Sequence, residues 1–245
     1  MAPSSAAPGP GHPAPDPGHP APDPGHPAPD PGRPLRADAA RNRRALLAAA
    51  RRVFERDGFV AARITDIADE AGLAHGSFYS HFRNKENALA AVLGEVGEEM
   101  LHPGPSLAGT PGGQGDEADP VPVIHAANVA YLEAYRRNAR LMALLEQVAT
   151  VDERFAALRR ERSEAFLARN ARAIRRLQRA GLADPALDPD LASFALSTMV
   201  SRSAYAVFAL GHQPAGAGDL AATLTRLWAN ALGLPGDRPN GRNDG

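Results

Sequence analysis

The sequence predicts an all-α protein, and three observations carry that expectation. Apolar residues recur at three- and four-residue spacing through most of the chain from Ala39 onward. No segment sustains the two-residue alternation of a half-buried strand. The breaks between periodic runs fall on residues that stop or start helices: Asp57-Gly58, Gly72, Asn84, Asn138, Gly181 with Pro185, and Gly211 with Pro214. At 245 residues, 44% of them hydrophobic, the chain can bury one large core or two modest ones.

Residues 1–37 are expected to have no core. GHPAPDP is repeated three times over residues 11–31, and proline at that density favours extended polyproline II. His12, His19 and His26 invite a metal reading, but seven residues of polyproline II hold neighbouring histidines roughly 22 Å apart, too far to share an ion. The arm reads as a disordered spacer or a weak docking peptide.

Residues 38–100 read as four helices. Leu46, Leu47, Ala50, Val53 and Phe54 form the stripe of the first, which should end at Asp57-Gly58. Ile64, Ile67, Ala68 and Ala71 form a second, short stripe ending at Gly72, and Phe78 and Phe82 anchor a third over about His75 to Phe82. The fourth should start at Asn84 as cap and run through Leu89, Val92, Leu93 and Val96. Residues 101–122, rich in Gly and Pro, read as a flexible loop. Residues 123–234 hold amphipathic runs at about 123–137, 139–149, 152–180, 188–210 and 217–232, and residues 235–245 read as a disordered tail.

Charge and composition exclude several functions. Formal net charge is -1, so any surface for a polyanion must come from local clustering. Such a cluster exists: nine arginines from Arg33 to Arg63 face only Asp38, Glu55 and Asp57. Cysteine is absent, which removes disulfides, thiolate metal sites and cysteine nucleophiles and fits a reducing cytoplasm. MAPSSAAPGPGHP has neither the basic start nor the apolar run of a secretory leader. Leu191 to Leu210 is the most apolar stretch, but Ser193, Ser197, Ser201, Arg202 and Ser203 break it, so no membrane span is expected. Neither a metal nor a cofactor site is evident.

The stretch EAGLAHGSFYSHFRNKE carries the functional signal. Two short helices around the turn Gly72-Leu73-Ala74 have helix-turn-helix spacing, in which the second helix lies in a DNA major groove. Phe78 and Phe82 give that helix an anchoring side; His75, Ser77, Ser80 and His81 give it a polar one. Gly76 lets the backbone come close to phosphate. Tyr79, His81 and Lys85 are then candidate phosphate contacts, and His75, Ser77 and Ser80 candidate readers of base edges. Ser77 and His81, four apart, could be read as a catalytic pair, but no acid to orient the histidine and no oxyanion hole is evident nearby.

The stretch of residues 41–93, with RALLAAARRVFERDGF followed by ITDIADEAGLAHGSFYSHFRNKENAL, resembles the N-terminal DNA-binding domain of the tetracycline-repressor (TetR) family. Phe-x-x-x-Gly-Phe, Asp-Ile-Ala, Ala-Gly-Leu, Gly-Ser-Phe-Tyr-x-His-Phe and Asn-Lys-Glu all occur at the right spacing. Arg63 stands where the family usually has a Thr or Ser that caps the second helix and touches phosphate, so Thr65 is expected to take over the cap or Arg63 to reach phosphate by charge. Ala74 replaces a common serine cap in the same way. The resemblance implies a non-enzymatic homodimer that binds a double-stranded DNA operator, with a C-terminal helical domain for ligand binding and dimerisation. It places Tyr131, Tyr135, Met142, Leu145, Phe155, Phe166, Met199 and Arg202 around a mostly apolar pocket for a small lipophilic effector. Phe194, Tyr205, Phe208, Leu224, Leu227 and Trp228 fall at the implied dimer interface. The arginines of residues 152–180, mixed with Glu153, Glu161 and Glu164, read as a solvated face. Two other readings stay open: a helical binding protein or enzyme that keeps an unused reading head, and a scaffold that works through its proline-rich arm.

Overall fold

The computed structural model describes residues 33–101, 119–212 and 216–235. The repeat arm, most of the predicted loop after the fourth helix and the C-terminal tail lie outside the described residues. The chain divides into two compact units, residues 1–40 and residues 41–245. Of the first, the described part is helical. The second holds everything that follows.

Every described element is helical, in the order α1 (Arg33–Ala61), α2 (Ile64–Glu70), α3 (His75–Tyr79), α4 (Lys85–Leu101), α5 (Pro120–Arg137), α6 (Ala139–Val148), α7 (Glu153–Arg179), α8 (Pro189–Ala204) and α9 (Ala217–Leu232). A π-helical turn, Tyr205–Ala209, extends α8. The stops and starts follow local chemistry. α1 breaks at Gly58, whose φ of 72° is open to glycine and costly for other residues. Asp119, Asp152 and Asp188 each accept a backbone N–H of the first turn of α5, α7 and α8, at 2.9 Å. Asn84 does the same for α4 through the amide of Asn87, at 2.9 Å.

α2 and α3 lack such caps: neither Arg63 nor Ala74 makes a side-chain cap hydrogen bond. Thr65 does not take over, because its hydroxyl turns to Asp66 Oδ1, 3.4 Å away. What holds this pair is the turn between them, where Gly72 at φ 66° lets the amides of Gly72 and Leu73 return to the carbonyls of Asp69 and Ala68, both at 3.0 Å. Below the turn, Leu46, Val53, Phe54, Ile67, Phe78 and Leu89 are buried in one cluster.

α4 links this head to the rest of the unit, packing on α5, α6 and α7. Behind it, α7 lies on α8 and α5 on α9. A buried polar contact joins the latter pair: Asn128 Nδ2 donates to Thr225 Oγ1 at 3.1 Å, and that hydroxyl donates to the Ala221 carbonyl at 2.7 Å. Leu224 and Trp228, expected at a subunit interface, are 2% and 5% exposed in the single chain. They sit in its own core, because α9 turns that stripe inward.

The Trp228 indole Nε1 is buried without a hydrogen-bond partner. An orphaned buried donor costs about 1–3 kcal/mol. Trp228→Phe keeps an aromatic ring and removes the donor, so its urea midpoint should equal or exceed that of the native chain. A clearly lower midpoint would mean that the loss in packed volume dominates.

Candidate nucleic-acid interface and ligand cavity

α3 is a single short helix with two unlike sides. Phe78 is fully buried and Phe82 nearly so, with ring centroids 5.5 Å apart, and this pair fixes the helix to the head core. His75, Gly76, Tyr79 and Ser80 are exposed on the other side, Ser77 and His81 half-buried beside them. Tyr79 is the outstanding member: it is 54% exposed, with its ring held edge-on between His75 at 5.5 Å and Phe78 at 5.6 Å. A Cβ added at Gly76 would meet nothing within 4 Å, so the space over that residue is open.

The charged groups around this surface divide into engaged and unengaged ones. Arg52 and Arg56 bind Glu70 at 2.7 and 3.4 Å, and Arg56 also binds Asp57 at 2.9 Å. Those contacts hold the Glu70 and Asp57 carboxyls below their usual range, chiefly through the hydrogen bonds from Arg52 and Arg56 respectively. Arg44, Arg63 and Arg83 are exposed and have no carboxylate partner among the described residues. Arg43 lies 5.5 Å from the centroid of the Phe82 ring, which brings an exposed cation to the C-terminal end of α3. Arg43 belongs to the arginine cluster visible in the sequence, while Arg83, exposed directly after Phe82, falls at no motif position.

Lys85 has a different duty from the one expected. Its ammonium donates to the carbonyls of Phe59 at 2.7 Å, Ala62 at 2.9 Å and Val60 at 3.3 Å, and lies 4.6 Å from the centroid of the Phe59 ring. All three of its donors are used to close the turn between α1 and α2. It is a structural tie, not a phosphate contact.

The second candidate site is a cavity of about 310 Å³ between α4, α5, α6, α7 and α8. Of the eight predicted lining residues, Tyr131, Tyr135, Met142, Phe166 and Arg202 are on its wall. Leu145, Phe155 and Met199 are not. Leu145 and Phe155 are closed core residues, 1% and 2% exposed, with the Phe155 ring edge-on to Phe59 at 6.2 Å. Met199 packs against the core from α8.

The wall is far less apolar than expected, which overturns the mostly apolar pocket. Glu146, Arg159, Arg160, Arg162, Ser163 and Ser201 all contribute to it. Arg159 is paired with Glu146 at 2.9 Å and Arg160 with Glu153, both exposed. Arg162, on the same helix, turns inward. Tyr205, expected at an interface, also lines the cavity, with the Arg202 guanidinium 4.9 Å from its ring centroid; Phe208 faces Tyr135 at 6.3 Å.

α4 connects the two sites physically. Its first residue, Lys85, holds the head turn; its last, Leu101, borders the cavity and offers its carbonyl to Arg169. Between them, a Cβ at Gly97 would come within 3.3 Å of Arg162 Cδ, so α4 and the cavity arginine are in close contact.

Comparison with known proteins agrees with this arrangement. Residues 46–92 match the family model described as bacterial regulatory proteins, tetR family. Those residues, α2 and α3 among them, are similar to the DNA-binding domain of the TetR family. The HTH-type transcriptional repressor BepR of Brucella suis biovar 1 is 29% identical over 108 residues, 43% of this chain and 48% of the relative. The HTH-type transcriptional regulator TtgR of Pseudomonas putida is 28% identical over 135 residues, 53% of this chain and 61% of the relative. The chain thus spans about half to three-fifths of the length of these relatives. Likeness of fold extends further than the sequence match. SmeT, the repressor of the Stenotrophomonas maltophilia multidrug efflux pump SmeDEF, superposes with a TM-score of 0.63 over 80% of this chain and 91% of its own, at 22% identity.

Proposed function

We propose that this chain is a homodimeric, ligand-responsive TetR-family regulator of transcription in the cytoplasm, a repressor that leaves a palindromic operator when a small molecule fills the cavity. The observation that carries the reading is α3: Phe78 fully buried, Tyr79, His75 and Ser80 presented outward. A helix so mounted can enter a major groove, and unpaired Arg44, Arg63 and Arg83 supply charge for flanking phosphates. Residues 38–100 act as the reading head and residues 123–234 as the effector-binding and dimer-forming part. The likeness to BepR and SmeT, both repressors, supports the direction of regulation.

The dimer surface is the outer side of α8 and α9. Leu191, Phe194 and Leu227 are 70%, 58% and 44% exposed there, an apolar patch that a two-fold partner would cover. Phe194→Glu combined with Leu227→Glu should shift the chain from dimer to monomer in sedimentation velocity. A pair of heads about one DNA turn apart reads two half-sites, and α4 transmits the ligand's preference for one head position. No bond is made or broken.

Selection of bound DNA from a random pool tests the reading, and recovery of no palindrome would refute it. On the selected site, Tyr79→Ala should weaken binding roughly tenfold while leaving the dimer intact. Gly76→Ala offers a second check. It should stabilise the helix slightly, by about 0.5–1 kcal/mol, yet lower DNA affinity by filling the open space over the backbone.

A further inference from the structure

The cavity holds an arginine that no carboxylate pairs directly, although Glu146 on the same wall acts on it at longer range. Arg162 projects from α7 into it, and the acceptor for its guanidinium is the thioether of Met142, Sδ at 3.3 Å. A thioether is a weak acceptor and carries no charge. No carboxylate lies within ion-pairing distance among the described residues: Glu146, across the cavity wall, is already bound to Arg159 at 2.9 Å. Burial lowers the pKa of the guanidinium from its ordinary value, yet arginine keeps its proton, so the positive charge stays.

Two phenols share that wall. Tyr131 and Tyr135 are buried, and neither hydroxyl has a protein partner among the described residues. Burial pushes the Tyr131 phenol up to about 12 and raises Tyr135 likewise, so both stay neutral and can donate. A guanidinium and two phenols around one space offer donors in excess of acceptors. Phe166, whose ring centroid is 5.4 Å from that of Tyr131, supplies the apolar surface beside them.

We propose that the effector is an amphipathic organic acid whose carboxylate pairs with Arg162, with its apolar body against Phe166, Met142 and the tyrosine rings. This rests on the reading of the cavity as an effector site and narrows the class of effector it takes. A carboxylate matches the fork of a guanidinium and supplies the negative charge that Arg162 lacks. A phosphate dianion is the competing anion, because Arg202 also borders the cavity without a carboxylate partner among the described residues, whereas Arg159 and Arg160 are already paired. The same pairing offers a link from occupancy to the head, because the stem of Arg162 lies against Gly97 of α4.

The test is isothermal titration of the full chain with hexanoate, decanoate, cinnamate and 1-naphthoate, each beside its primary amide, and with phenyl phosphate as the dianion. At least one acid should bind about tenfold or more tightly than its amide, and Arg162→Met should reduce that preference below about threefold. The proposal is overturned if no acid outbinds its amide, if phenyl phosphate binds more tightly than every acid, or if the preference survives in Arg162→Met. A lower urea midpoint for ligand-free Arg162→Met would also overturn it, by giving the guanidinium a structural duty. Operator binding is measured in parallel. A chain that discriminates acid from amide but selects no DNA overturns the regulator reading alone; one that binds its operator and treats acid and amide alike overturns this inference alone.

Discussion

Lys85→Met should destabilise the protein by about 3 kcal/mol, read as a fall in urea midpoint at unchanged slope. The ammonium makes hydrogen bonds of 2.7, 2.9 and 3.3 Å to carbonyls that end α1 and lead into α2. Hydrogen bonds from a charged donor contribute about 1.5–3 kcal/mol each, and the Val60 carbonyl, on a residue 93% exposed, can turn to water instead. The contact with the Phe59 ring at 4.6 Å adds roughly 0.5–1 kcal/mol. Methionine keeps the stem and loses all of this. Lys85→Arg should recover only part, because a planar fork cannot reproduce three bonds from one compact ammonium. Operator binding separates this role from a phosphate contact. Loss of one phosphate contact would reduce the salt dependence of binding by about one counterion, whereas the folded fraction of Lys85→Met should keep the native slope.

That lysine illustrates where sequence reading stopped. Its charge and its place after the recognition helix were visible, but its acceptors lie 23 to 26 positions upstream, and only the fold brings them together. What was legible depended on local physics. Asp57-Gly58, the Asn84 cap, Gly72 and Gly181 mark helix ends because left-handed glycines and short polar side chains act within a few residues. The apolar stripes identified Phe54, Ile67 and Phe78 as core for the same reason.

The misses share one cause. Periodicity shows that a face is buried, not what buries it. Leu224 and Trp228 pack within their own chain while Phe194 and Leu227 stay outside, although all four continue apolar stripes on α8 and α9. Leu145 and Phe155 were indistinguishable from cavity residues such as Met142 and Phe166. The arginine run of α7 read as a solvated face, and Arg154, Arg159 and Arg160 do form ion pairs there. Arg162 does not, and a signal was present: it stands seven residues after Phe155 and four before Phe166, a charge on the apolar stripe of its helix. The π turn at Tyr205–Ala209, closed by the Leu210 amide on the Tyr205 carbonyl at 3.1 Å, has no comparable mark in the sequence.

Asn138→Ala should cost about 3 kcal/mol and loosen the head from the body. Asn138, fully buried between α5 and α6, donates to Glu99 Oε2 at 3.0 Å and to the Ala134 carbonyl at 2.8 Å, and accepts from Arg51 at 2.6 Å. One side chain therefore joins α1, α4 and the α5 terminus. Arg137 adds a bond to Glu99 at 2.8 Å and Arg140 one to the Glu55 carbonyl at 3.1 Å. Removing the amide leaves a guanidinium and a carboxylate each short of a partner, and a buried polar group so stranded costs about 1–3 kcal/mol. Acid should act at the same joint. Burial raises the Glu99 carboxyl, but the hydrogen bonds from Arg137 and Asn138 outweigh it and hold the carboxyl below its usual range. A lowered folded pKa contributes stability that is complete above the unfolded value, near 4.3, and is lost as pH falls through the folded value. Glu99→Gln should therefore be less stable than the native chain at pH 7, and the gap should close as urea midpoints are followed below about pH 4. A gap independent of pH would show that Glu99 acts through shape and not through charge. If Asn138→Ala instead left the midpoint unchanged, the head would be held by its apolar contacts with α4 alone, and the polar joint would have no part in setting its position on DNA.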